Sequence, residues 1–427
     1  MSFVAARLAG PADRWIQLVL GVICMVTIAN LQYGWVLFVT PIQETFHWER
    51  SSIQLALGVF VLTQTWIVPA AGWFADRFGP RPVMVAGGAL VGLSWMVNAG
   101  ADSLSLLYAS AGLGGIGAGA VYGTCVGNAL RWFPDRRGLA VGLVTAGYGA
   151  GAAITALPIM HMIAAYGYAV TFLRFGLGQG LIVLLLGLLF VVPRRGAIKP
   201  SPWLKQAVRD ATPGEMLRQP AFWVTYAMFA LVGAAGLSAI AQLPPIARDF
   251  GVANMSVGFA GLMLPALSFA LAIDRVLSGL TRPFFGWLSD HLGRENTMAL
   301  AFCLQAAGIG SLFFFGGDPG IFVLLSALVY FTLGEIYSLF PAICADTFGV
   351  KYAATNAGFL YTAKGTATLL APVAGAISNL TGSWHAAFFL AVGVNALAAL
   401  AALCVLKPMR ERYLAAAEPS TRQKRAV

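Results

Sequence analysis

The sequence predicts an all-α membrane protein with twelve transmembrane helices, arranged as two six-helix pseudo-repeats. Three observations carry this. Of 427 residues, 59% are hydrophobic and only 10% are charged, against about 25% charged in an ordinary soluble domain. Apolar runs recur from Trp15 to Leu406, each of them about 20 residues or more and so able to cross a hydrocarbon core of ~30 Å. One short motif also appears twice, at matching places in the two halves. In lipid the backbone must satisfy its own hydrogen bonds, so such runs are helices.

Taken in order, the apolar periodicity places spans at 14–40, 51–75, 82–100, 104–131, 138–164 and 168–193, then at 220–247, 255–288, 296–316, 320–346, 353–380 and 384–406. The first follows Arg7 and Arg14 without a small-residue cleavage site behind it, so it reads as a retained helix. Residues 14–193 form the N-terminal half and 220–406 the C-terminal half. Between them, 194–219 is rich in proline and basic residues and reads as a cytoplasmic linker, with Glu215–Arg218 as a short interfacial helix. Residues 407–427 read as a cytoplasmic tail of solvated charge. Gly115, Gly119 and Gly123 recur every four residues, which puts a groove for close helix packing on one face of the fourth span.

The net charge of +10 reports topology. Of the 27 lysines and arginines, Arg50 and Arg248 lie on one side, Arg174, Arg275, Arg282 and Lys364 lie inside spans, and all the others fall on the opposite side. This bias places both termini in the cytoplasm. No basic-aromatic platform for nucleic acid is present. The five cysteines are scattered through apolar segments, without metal-ligand or disulfide spacing. Motifs of zinc proteases, serine hydrolases and nucleotide-binding loops are missing, and no cofactor is expected.

The repeated motif is G-W-F-A-D-R-F-G-P-R from Gly72 and G-W-L-S-D-H-L-G-R from Gly286. Each copy sits between the second and third span of its half. Parallel repeats with a midplane site between them are a transporter architecture. The motif predicts a gating hinge of Gly72, Asp76, Arg77, Gly286, Asp290 and Arg294. Its glycines permit close helix approach, and its aspartates cap helices and pair with arginine. The hinge resembles the signature loop of the major facilitator superfamily, which implies that fold.

A charge near the bilayer centre costs roughly 2.5–3.5 kcal/mol on insertion scales, so intramembrane charges are functional candidates. The repeat supplies an internal control. Arg282 corresponds to Val68, and Lys364 to Tyr148. The architecture therefore needs no cation at either place. An arginine fork binds a carboxylate in bidentate fashion and a lysine supplies a compact charge, so together they suit a small dianion. Gln32, Tyr33, Tyr122, Tyr148, Tyr330, Tyr337 and Tyr361 recur at mid-span and read as a cavity lining. Asp274 is either a structural lock to a neighbouring helix or a proton carrier. Arg275 lies two turns from Arg282, on the same face. Glu335 either neutralises Lys364 or Arg275 in the empty site or is itself protonated. Arg174 is expected to snorkel to the external interface.

N-L-Q-Y-G-W in the first span, R-W-F-P-D-R-R-G-L-A-x-G-L from Arg131, T-R-P-F-F-G-W-L-S-D and Y-T-A-K-G-T-A together resemble the bacterial oxalate:formate antiporter family over almost the whole chain. The resemblance implies that Arg282 and Lys364 bind the oxalate carboxylates, with contacts from Gln32, Tyr33, Tyr122, Tyr148 and Tyr337. Two tryptophans that close the family's cavity are replaced here by Leu333 and Tyr361, and Asp274, Arg275 and Glu335 are additional charges. The expected function is exchange of oxalate for formate by alternating access, in a monomer embedded in the bacterial inner membrane. Repulsion between Arg282 and Lys364 in the empty site is expected to oppose closure. The alternatives are proton-coupled transport of lactate or formate, and a carboxylate sensor that does not transport.

Overall fold

The structure, a computed structural model, describes residues 13–194, 198–201, 203–259 and 262–417. The first span is α1 (Arg14–Tyr33) and α2 (Val36–Phe46), broken at Gly34–Trp35. Then come α3 (Arg50–Phe78), α4 (Pro80–Ala99), α5 (Leu104–Trp132) and the 51-residue α6 (Arg137–Gly187). α6 holds two spans. They meet at Gly167, whose φ of 80° and ψ of 166° are open only to glycine. After α7 (Pro213–Leu217) follow α8 (Pro220–Asp249), the strands β1 (Ser256–Phe259) and β2 (Leu262–Pro265), α9 (Ala266–Leu292) and α10 (Arg294–Phe315). α11 (Pro319–Leu333) and α12 (Ile336–Phe348) make one span, broken at Gly334–Glu335. α13 (Ala353–Leu370) and α14 (Val373–Thr381) make another, broken at Ala371–Pro372, where proline lacks the N–H that a continuous helix needs. α15 (His385–Ala401) passes through a π turn, Ala402–Leu406, into α16 (Lys407–Ala417).

Among the described residues, nine helical stretches are long and apolar enough to cross a membrane. α6 supplies two of the twelve expected spans. The remaining two are α9, which carries several charges, and the broken pair α13–α14. Gly115 and Gly119 of α5 pack against the backbone of α3, the close approach that their spacing predicts.

Three boundaries differ from expectation. Residues 256–259 and 262–265 pair as antiparallel strands, with Ser256 opposite Pro265 and Val257 opposite Leu264, where helix was expected. Pro265 disfavours helical backbone at the residue before it, so the helix starts after it. The sixth span ends at Gly187, not 193. The irregular backbone beyond it is satisfied by side chains from other helices: Gln17 bonds Leu189 O (3.0 Å) and Val191 N–H (3.1 Å), and Trp132 donates to Val191 O (2.9 Å). Residues 407–417 of the expected solvated tail continue as helix α16, and residues 418–427 lie outside the described residues. Arg410 of α16 is buried and donates to Glu295 (2.6 Å), Thr347 Oγ1 (2.9 Å) and Lys205 O (2.5 Å). In the linker, α7 starts with a capping box between Thr212 and Glu215. Linker residues 195–197 and 202 lie outside the described residues.

Candidate functional site

The hinges lie at one end of the bundle, where the first six and last six spans are bound together. Asp76, near the end of α3, accepts from the N–H of Ala354 (3.3 Å) and Thr355 (2.9 Å) and from the Thr355 hydroxyl (2.6 Å). Asp290, near the end of α9, accepts from the N–H of Gly138 (3.0 Å) and Leu139 (2.9 Å). Each carboxylate thus caps the start of a helix from the opposite half, α13 or α6, where unpaired N–H groups and the helix dipole favour negative charge. The glycines permit this approach. A Cβ on Gly72 would come within 2.5 Å of Ala354 O, and one on Gly286 would overlap Gly138 O.

Arginines complete the closure. Arg131 pairs with Asp76 and donates to Val350 O (3.2 Å) and Lys351 O (3.0 Å). Arg294 pairs with Asp290 and with Asp346, both at 2.7 Å, and Arg137 also pairs with Asp346. Arg77, expected in the hinge set, takes a different place. It is exposed and lies over the rings of Trp73 (5.2 Å) and Phe78 (5.6 Å). It directly follows Asp76, so on a helix its side chain points about 100° away. Arg131, Arg137 and Asp346 were not singled out from the sequence, although the first two open and continue the R-W-F-P-D-R-R motif.

Deeper in the bundle lie Arg282 and Lys364, each only 4% exposed. Arg282 sits on α9, just before Pro283. It donates to Thr145 O on α6, and its guanidinium lies 4.6 Å from the centre of the Tyr337 ring on α12. Tyr33 and Tyr122 also stand within electrostatic reach of it. Lys364, on α13, donates to Tyr361 OH (3.0 Å), Gln64 Oε1 (3.3 Å) and Gln32 Oε1 (3.4 Å). Tyr148 OH donates to Gln32 Oε1 at 2.8 Å. The Tyr122 ring stacks on Tyr361 (4.4 Å) and meets Tyr148 edge-on (5.6 Å), and Tyr33 packs against Tyr148 (5.5 Å). The fold thus gathers Gln32, Tyr33, Tyr122, Tyr148, Tyr337 and Tyr361 around the two cations. Tyr330 lies apart, in a separate apolar cluster with Phe322 and Phe388.

Two helix breaks border this cluster. Gly34–Trp35 directly follow Gln32 and Tyr33, and Gly334–Glu335 precede Tyr337 with only Ile336 between. At the second break Thr281, beside Arg282, donates to the freed carbonyl of Phe331.

Glu335 is fully buried, and among the described residues no side chain hydrogen-bonds its carboxylate oxygens. It does not neutralise Lys364, whose partners are the neutral groups just named. Asp274 is buried on α9 and is not without a partner. The side chain of Arg275 lies outside the described residues. Arg174 is exposed and lies over the Tyr166 ring at 4.3 Å. Leu333, at one of the replaced tryptophans, packs against Gly236. Gln64 is a residue of this cluster that sequence reasoning missed. Its signal was the polar trio Thr63-Gln64-Thr65 in the middle of an apolar span.

Broken helices around buried charges, between two sets of spans clasped at one end, define a secondary transporter of the alternating-access kind. The chain belongs to the Major Facilitator Superfamily, whose profile matches residues 18–279 and 243–426, and within it to the family of the oxalate:formate antiporter. It is 35% identical over 391 residues to the Oxalate:formate antiporter of Oxalobacter formigenes, with 88% of each chain covered. It is 23% identical over 354 residues to Monocarboxylate transporter 12-B of Danio rerio, covering 75% of this chain and 72% of that one. The crystal structure of FucP, a Major Facilitator Superfamily transporter in the outward conformation, matches with a TM-score of 0.68 at 17% identity, over 90% of this chain and 97% of that one. This last likeness shows the fold. The protein is a multi-pass membrane transporter.

Proposed function

We propose that this protein exchanges small carboxylates across a bacterial inner membrane, carrying oxalate inward against formate outward. The pair Arg282 and Lys364 carries the reading. They are two buried cations on different helices, and every partner described above for either is neutral. Each is therefore available to a substrate carboxylate, the arginine through its planar fork and the lysine as a compact donor. The tyrosines supply hydroxyls and wall off water. The named activity of the Oxalobacter formigenes relative supports the choice of anions. The lysine and arginine bias puts the hinge end and both termini in the cytoplasm. The reading takes the protein as a monomer in the lipid bilayer. Transport proceeds as the clasp at the hinge end opens and the opposite end closes.

Counterflow in proteoliposomes tests this, with labelled oxalate against formate, lactate, malonate and succinate. Oxalate and formate should exchange, and Arg282→Gln and Lys364→Gln should each abolish exchange. Normal exchange by either variant removes the site assignment. Oxalate uptake that ignored both internal formate and membrane potential removes the antiport.

A second reading, proton-linked transport of a monocarboxylate such as lactate or formate, is favoured by one observation. Glu335 is fully buried beside the site, and no side chain among the described residues hydrogen-bonds its carboxylate. Substrate-driven alkalinisation that Glu335→Gln abolished would support it, and its absence in the unmodified protein would dismiss it.

A further inference from the structure

Lys364 is held in a closed ring of hydrogen bonds. It donates to Gln64 Oε1 (3.3 Å) and to Gln32 Oε1 (3.4 Å). Gln64 Nε2 donates to Tyr148 OH (2.6 Å), and that hydroxyl donates to Gln32 Oε1 (2.8 Å). The chemistry sets the direction of each bond. An ammonium only donates, so the amide oxygens face it, and the NH2 of Gln64 is left for the tyrosine. The ring joins α1, α3 and α6 of the first six spans to α13 of the last six. Gln64 itself is 0% exposed.

We infer that Gln64 is a specificity-determining positioning residue. Its amide oxygen stands in for a carboxylate oxygen on Lys364 and is given up only to a substrate that brings a second carboxylate. This rests on the reading of Arg282 and Lys364 as the carboxylate-binding pair. An amide oxygen carries only partial charge, whereas a carboxylate oxygen meets the ammonium as a full opposite charge, the stronger attraction in a low-dielectric interior. A dianion held by Arg282 therefore outcompetes Gln64 for the ammonium. A monoanion, once on Arg282, has no second group to offer, and the lysine stays on its glutamines. Gln64 thereby sets how much the second carboxylate adds to binding, and so the margin of dicarboxylates over monocarboxylates.

Gln64→Glu separates charge from shape. It keeps the length of the side chain but gives Lys364 a permanent carboxylate partner, so the second carboxylate of a dianion gains nothing. In counterflow with the full chain, Q64E should cut the preference for oxalate over formate, read as the ratio of their KM values, at least tenfold. An unchanged ratio overturns the inference. If Q64E exchanges neither anion, Gln64→Met decides, since it is similar in size and lacks the acceptor. Q64M removes the acceptor that a dianion must displace, so it should raise the preference for oxalate over formate severalfold, and an unchanged or lowered ratio overturns the inference. Lys364→Gln in the same assay separates the two levels. If it leaves oxalate exchange intact, the reading of the site falls with the inference. If it abolishes oxalate exchange while Q64E and Q64M leave the ratio unmoved, the inference falls alone.

Discussion

Asp76 accepts the backbone N–H of Thr355 at 2.9 Å, across 279 positions of sequence. Its counterpart Asp290 accepts the N–H of Leu139 at 2.9 Å, across 151. Each repeat thus clasps the other by the same device, a carboxylate on the first free N–H groups of a helix. Such a bond is broken by moving one helix away, with no change inside either half, which is what a gate requires.

Removing the charge while keeping the shape should loosen this end. Asp76→Asn and Asp290→Asn retain an acceptor but lose the ion pairs to Arg131 and Arg294. A charged hydrogen bond contributes about 1.5–3 kcal/mol. Thiol labelling of a cysteine introduced at Ala354 should rise severalfold in Asp76→Asn. Unchanged labelling would mean that the clasp does not hold the hinge end shut.

The contact of Arg282 with the face of Tyr337, at 4.6 Å, should depend on the ring. Tyr337→Phe keeps the face and should bind oxalate within about twofold of the original. Tyr337→Ala loses a cation–π contact of about 0.5–2 kcal/mol, so inhibition of counterflow by unlabelled oxalate should need a roughly two- to thirtyfold higher concentration. Equal behaviour of the two variants would contradict the contact.

Tyr148 OH links Gln64 to Gln32. Tyr148→Phe deletes both bonds, each about 1 kcal/mol net, and frees the glutamines that position Lys364. Oxalate affinity should fall roughly five- to thirtyfold, with formate affected less. The two competition curves measured side by side decide it.

Arg410 tests the C-terminal helix. Arg410→Ala leaves Glu295 buried without its partner, a change of about 3–5 kcal/mol. The Tm of the purified protein should drop by several degrees. The double variant Arg410→Ala, Glu295→Gln should recover part of that loss, because the stranded charge is gone. A single variant as stable as the original would show that the pair contributes nothing.

The spans, the duplicated hinge and the two cations were legible because each is a local property. A run of apolar side chains must be helix in lipid, whatever surrounds it. A charge inside such a run is costly wherever it points, so Arg282 and Lys364 stood out. Asp76 was legible as a cap and an arginine partner, but the partner proved to be Arg131 and not its neighbour Arg77. The paired strands at 256–259 and 262–265 and the helix after Lys407 were hidden for a related reason. A short apolar run fits strand or helix equally well, and a charged segment reads as solvated until a buried acid such as Glu295 is brought beside it.

By itself, then, the sequence determined a twelve-span transporter with a repeated hinge and two cations in its interior, because hydrophobicity and the cost of burying charge act residue by residue. Only the tertiary structure decided what those cations touch. Gln64 and Lys364 lie 300 positions apart in the chain and 3.3 Å apart in space. A hydrogen bond depends on the second distance alone, and nothing in the order of residues encodes it until the helices pack.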